Sequence, residues 1–219
     1  MHRFVIGCWL SLSLLGLPGC APVIYQVQVN GYTDPASPAV LTPGATFFIV
    51  ENQEAPNPLL EKEIKGKITR LLAKQGYQIT TFDQAAYLLF FSYGLGPARN
   101  VSVTLPDFSF YEWGPSGPGS RRAYPYFFAV PYWASYPYAE TIYDRWLLIN
   151  VVDGRQYRDQ KAYLTLWVGE ARSTGTSADL RVAVNYLLTA VFEQFGKNTG
   201  KAMPVDLNQE DLRVKELEK

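Results

Sequence analysis

The chain has 219 residues, with 20 basic and 20 acidic side chains, one histidine and two cysteines. Balanced charge provides no basic field to gather nucleic acid or anionic lipid from a distance, so no nucleic-acid partner is expected. The lone His2, and Cys8, lie in a leader that reads as removable, and Cys20 reads as lipidated. The mature part then keeps no histidine and no free thiol, which excludes Ser-His-Asp and Cys-His nucleophile systems and zinc sites of His and Cys.

Residues 1–19 have the form of a bacterial lipoprotein signal peptide. His2 and Arg3 make a short basic start, and residues 4–17 are mostly apolar, a length suited to a secretory signal and too short to span a bilayer. Leu17-Pro18-Gly19-Cys20 then brings a small residue up to a thiol, the group that accepts diacylglycerol before cleavage. Pro18 departs from the small or β-branched residues usual at that place. One acyl chain at ~0.8 kcal/mol per methylene anchors weakly, whereas two or three hold firmly. Residues 20–22 become the lipidated N-terminus, with palmitate-type chains on Cys20 and a net charge near −1 for the rest. Ala21 stands where Asp would retain an enteric lipoprotein in the inner membrane. The expected place is therefore the outer membrane, on its periplasmic side.

Tyr25, Val27 and Val29 alternate with polar residues and predict a strand over 23–29. Residues 31–44 are rich in Pro, Ser, Thr and Gly and read as loop, before a short strand at 46–50. Asn57 as cap and Pro58 at the first helical position open a helix. Leu60, Ile64, Ile68, Leu71 and Leu72 share one face of it. Glu61, Lys62, Lys65, Lys67 and Arg70 are expected on the other, and Gly76 closes the helix. Strands follow at 77–79, 86–93 and 101–105, the second apolar on both faces as a central strand would be. Residues 142–152 and 162–168 predict a hairpin around the Asp153-Gly154 turn pair. Ser177 is expected to cap a second helix that turns Leu180, Val184, Leu187, Leu188, Val191 and Phe195 inward and stops at Gly196. Residues 197–219 are polar and charged and read as a disordered tail, with a transient helix at 211–218. The predicted class is α+β: an antiparallel-rich mixed sheet, two amphipathic helices packed on one face, and one domain over 23–196.

Three groups of residues, 57–60, 71–77 with the strand that begins at Ala86, and 147–153 with 166–171 and the closing helix, resemble the domain-of-unknown-function 4136 family. The resemblance covers about residues 23–196 and implies a bacterial lipoprotein with an α+β domain, without any established reaction. Where that family usually has Ala-Asp ahead of the central strand, this chain has Ala85-Ala86, with Asp83 displaced.

Residues 108–138 hold twelve aromatic side chains among prolines and glycines and read as a long insertion. One reading is a flap that completes the core. The other is a ligand or partner surface, with Trp113, Arg121, Arg122, Tyr124, Tyr126, Tyr132, Trp133 and Tyr136 as its residues. Gly94-Leu95-Gly96-Pro97 lacks the third glycine of a dinucleotide loop and reads as a turn. Asp206, Asn208 and Glu210 lack the glycine and terminal glutamate of a calcium loop, so no metal and no cofactor are expected. Glu140, Asp144, Asp153 and Glu170 read as strand-end and turn carboxylates rather than a glycosidase pair. The function expected is a non-enzymatic outer-membrane lipoprotein that supports envelope organisation or assembly by binding another envelope component. The alternative is a lipid- or glycan-binding module that uses residues 108–138. The partners are the membrane, through the anchor, and an unidentified envelope protein, lipid or glycan.

Overall fold

The computed structural model describes residues 24–34, 41–106 and 135–219; of residues 103–106 and 135–138 it gives the strand positions. Cys20 and the segment 107–134 lie outside these, so the flap and surface readings of Trp113, Arg121, Arg122, Tyr124, Tyr126, Tyr132 and Trp133 concern residues outside the description. Among the described residues one mixed, mostly antiparallel sheet of eight strands carries helices, confirming the α+β class.

The strands are β1 (Ile24–Thr33), β2 (Thr46–Val50), β3 (Gln78–Ile79), β4 (Tyr87–Leu95), β5 (Arg99–Pro106), β6 (Ser135–Asp153), β7 (Thr165–Gly175) and β8 (Met203–Asn208). They run in the order β3-β2-β4-β6-β7-β1-β8, with β5 paired to the first half of β6. The helices are α1 (Pro58–Lys74), α2 (Gly154–Gln160), α3 (Leu180–Glu193) and α4 (Leu212–Glu218).

α1 begins as its sequence dictates: the Asn57 side chain accepts from the Leu60 N–H at 3.1 Å, and Pro58 opens the first turn. Ile64, Ile68 and Leu72 are fully buried against the sheet. Two side chains expected on the solvent face are buried instead. Glu61 accepts from the Asn52 N–H at 2.9 Å, and the Lys67 Nζ lies 2.6 Å from Glu63. Glu63 also takes the Arg181 guanidinium at 2.8 Å, so it clasps α1 to α3.

α3 is buried from Ala183 to Phe192, on every side. Its sequence is apolar all round, and such a helix needs cover on each flank. The sheet lies beneath it, α1 on one side and α4 on the other. Its cap is Asp179, which accepts from the Val182 N–H at 3.2 Å; Ser177 serves one step earlier, accepting from the Asp179 N–H.

The stretch expected as a tail is folded. β8 pairs antiparallel with β1, and Leu207 is buried. Asp211 caps α4, and Val214 and Leu217 enter the main core. Charge density hid an ordinary strand alternation of Met203, Val205 and Leu207 against polar neighbours. The β6–β7 pairing is as expected, but α2 makes the connection. Asp153 is its N-cap, accepting from the Gln156 N–H at 2.8 Å, rather than half of a two-residue turn.

β4 is buried on both faces. Leu89 and Phe91 point into the helix-covered core. Leu88 joins Ala85 and Val152 on the opposite face, beside Phe48, Phe82 and Tyr157 of α2. α2 covers only that end of the second face.

Candidate functional site

Side-chain alternation divides the sheet cleanly. Val27, Val29, Leu147, Ile149, Trp167 and Ala171 face the helices and are buried. Their neighbours face the other way, and beyond α2 no described element covers them. Pairing register sets these residues in rows across the strands. Gly94, Trp146 and Arg172 stand side by side in β4, β6 and β7, and Arg172 is opposite Gln28 of β1. The next row is Ser92, Leu148, Glu170 and Asn30.

Two tryptophan rings in this sheet lie over glycines, one on each face. A Cβ on Gly169 would fall 2.1 Å from the Trp167 ring, and one on Gly94 would fall 2.7 Å from the Trp146 ring. Trp167 is roofed. Phe195 packs against its ring at 4.8 Å, its indole N–H donates to the Lys197 carbonyl at 3.0 Å, and it is 1% exposed. Trp146 has no such roof among the described residues. It is 36% exposed, and its indole N–H has no partner there.

A groove of about 370 Å³ runs beside Trp146, lined by Gln26, Gln28, Asp144, Arg172 and Thr174, with Arg145 and Ser173 at its floor. Its surface charges are paired in place, whereas the Nε of Arg145 at the floor has no hydrogen-bond partner among the described residues. Asp144 accepts from the Thr174 hydroxyl at 2.9 Å and from Arg99 at 2.7 and 2.8 Å, and these contacts hold its carboxyl below the usual range. Glu170 takes the Arg172 Nε at 2.8 Å. Gln26 reaches Asp206 at 3.4 Å, whereas the amide of Gln28 has no partner among the described residues.

Under this floor, on the helix side, Arg145 is buried with its guanidinium 5.4 Å from the Tyr25 ring centroid. Tyr25 stacks in turn on Tyr186 at 3.8 Å. Burial lowers the Arg145 pKa, which the Tyr25 hydroxyl partly offsets. A second cavity, of about 310 Å³, lies between residues 52–57, the start of α1 and the end of β4. There the Tyr93 hydroxyl is pushed up to about 12, by burial and by its bond to Glu61.

Of the surface residues singled out from sequence, Tyr136 has a described position, and it is in β6 opposite Leu105 rather than in a loop. Pro137 sits beside it in the same strand. β5 and this half of β6 form a two-stranded ribbon, where a proline costs no ladder on a third strand. Gly94 and Leu95, expected in a turn, continue β4, and the Gly96 N–H donates to the Asp144 carbonyl at 2.7 Å. The four carboxylates do not converge. Asp153 caps α2, Asp144 and Glu170 are paired as above, and Glu140 stands opposite Val101. Asn208 accepts from the Glu210 N–H at 2.9 Å, a local turn, and among the described residues no acidic group clusters to hold a metal ion.

The family model of DUF4136, a domain of unknown function, matches residues 31–195. The chain belongs to the DUF4136 family. Solved structures are similar to the chain at low identity. A DUF4136 family protein from Bacteroides thetaiotaomicron is 18% identical, with a TM-score of 0.36 over 75% of this chain and 95% of that one. The PelC dodecamer from Paraburkholderia phytofirmans is 11% identical, with a TM-score of 0.40 over 79% and 99%. A PDZ domain protein from Parabacteroides distasonis is 13% identical, with a TM-score of 0.45; the match covers 85% of this chain and 40% of that protein. No curated protein matches the chain. The DUF4136 match spans the sheet from the end of β1 to α3, so Gly94, Trp146 and Arg172 fall inside the family region and β8 and α4 after it.

Proposed function

We propose that this DUF4136 protein is a non-enzymatic, lipid-anchored module of the outer membrane. It faces the periplasm and contributes to envelope organisation by holding another envelope component on the open face of its sheet. The observation that carries this is Trp146, which lies over Gly94 and has no cover among the described residues, where its counterpart Trp167 is sealed into the core. A tryptophan 36% exposed, beside an arginine and a glutamine amide with no partner among the described residues, is the composition of a recognition surface. The polar groups around it are amides and charges already paired, which favours binding over turnover.

The anchor gives such a surface its reach. Three residues lie between Cys20 and Ile24, at most about 14 Å of extended chain from one to the other, so the sheet stays close to the bilayer. Confinement to a thin layer raises the local concentration, and weak contacts then suffice. The test is a photo-crosslinking amino acid placed in cells at Gln28, on the open face, and at Val182, exposed at the start of α3 on the helix side. Adducts are expected from position 28 and not from 182. Equal adducts from both, or none from 28, contradict the reading.

A further inference from the structure

We infer that the groove beside Trp146 binds a neutral glycan chain, with the Trp146 indole as the platform on which a sugar ring stacks. This rests on the reading of the open face as a recognition surface and names its ligand. A pyranose offers an apolar C–H face and an edge of hydroxyls that both donate and accept. The groove supplies the complement of each. The indole ring lies over Gly94, where a Cβ would fall 2.7 Å from it, and the side chain is 36% exposed, so part of an aromatic surface is open to a sugar. Around it, Gln28 and Gln26 offer amides, with Arg172 and Asp144 as further planar groups at the same level. Planar groups that donate and accept in one plane fit vicinal hydroxyls.

Charge selects among ligands. On the open face Asp144 is paired with Arg99 and Thr174, and Arg172 with Glu170, while Arg145 beneath the groove turns its guanidinium to the Tyr25 ring on the helix side, so the face itself presents little unspent charge of either sign. An anionic ligand would find its arginine already engaged. A lipid tail would need a deep apolar cavity, whereas the groove is open and rimmed by polar side chains. Extent selects a chain over a single sugar. Trp146 and Gln28 are two strands apart, roughly 10 Å at the usual strand spacing, and Asn30 and Leu148 continue the surface in the next row.

The test uses the full-length protein in detergent micelles, titrated calorimetrically with hexamers of β-1,4-linked glucose and of β-1,4-linked N-acetylglucosamine. Saturable binding of at least one hexamer is expected. Trp146→Ala should weaken it at least about tenfold, and Trp146→Phe by no more than about threefold, because a flat ring remains. Gly94→Ala should give an intermediate loss, since its Cβ lifts the ring without removing it. The melting curve of Trp146→Ala should match the wild type, as the ring is outside the core. Affinity should change less than about twofold between roughly 50 and 500 mM salt, because no free charge is engaged. Absence of saturable binding by both hexamers, binding that survives Trp146→Ala, or a steep salt dependence overturns the assignment. A protein captured from position 28 while neither hexamer binds would overturn the glycan and leave the recognition surface standing. Failure of both experiments would remove both.

Discussion

Gly154 sits where β6 hands over to α2, with its N–H 2.8 Å from the Ala86 carbonyl. A Cβ there would lie 2.6 Å from the Ala85 carbonyl oxygen and 2.9 Å from that of Ala86, both backbone atoms that cannot swing aside. Gly154→Ala should therefore destabilise the domain by about 1–3 kcal/mol, the cost of overpacking. Gly66 gives the opposite sign. It is exposed in the middle of α1 with open space around it, and Gly66→Ala should stabilise by about 0.5–1 kcal/mol. Urea unfolding of the two variants checks both. A stable Gly154→Ala, or a destabilised Gly66→Ala, would show that these packing distances do not govern stability. Trp146 shows what stays illegible at this scale. Its alternation within Asp144-Arg145-Trp146-Leu147-Leu148 is visible in the chain, but its partner Gly94 lies across a strand pairing that one sequence does not reveal. The dense aromatics of 108–138 are conspicuous by composition alone, whereas Trp146 is not.

α1 was fully legible, because a cap, a proline and a period of apolar residues agree with one another. Its two buried charges were not: Glu61 depends on the Asn52 loop, and although Lys67 and Glu63 are i,i+4 neighbours on the helix, the burial of Lys67 follows from packing against α3, whose Arg181 reaches Glu63. The last twenty residues show the reverse failure, in which charge count outweighed periodicity. β8 and α4 bury Leu207, Val214 and Leu217, worth roughly 5–9 kcal/mol before the cost of ordering. That is comparable to the whole stability of a typical domain. Removing residues 200–219 also uncovers one edge of β1 and one flank of α3. The truncated protein should fail to give a cooperative thermal transition. A truncated protein that melts like the full chain would mean the helix–strand terminus is an appendage rather than part of the core.

Across the whole molecule, the pH response follows from which groups are present. No histidine occurs after His2, so stability should be flat between about pH 5.5 and 8. Burial tends to raise the Glu63 pKa, but Lys67 and Arg181 outweigh it, and the group ends below its ordinary value. Asp211 is lowered by its bonds to Arg213. Such groups contribute fully above the unfolded carboxylate value and lose that contribution as pH falls through the folded one. Stability should thus decline below about pH 4.5, and Glu63→Gln should flatten part of that decline while lowering stability at neutral pH. Urea midpoints across the range would contradict this by moving between pH 5.5 and 8, or by an acid loss unchanged in Glu63→Gln.

The start of β1 and the β5–β6 ribbon leave the same end of the sheet, since β1 begins beside the level at which β6 passes from β7 to β5. The class was readable because it rests on local periodicity, and the family because residues 57–60, 71–77 and 147–153 resemble its members. The open face was not, because it exists only once seven strands stand in order. Everything proposed for that face presumes a domain held at a membrane by Cys20. Fatty-acid labelling of cells that express the wild type and Cys20→Ser, followed by membrane fractionation, measures this directly. The wild type is expected to carry label and to sediment with the outer membrane, and Cys20→Ser to be unlabelled and longer by its leader. An unlabelled wild type, or label that persists in Cys20→Ser, would contradict the account.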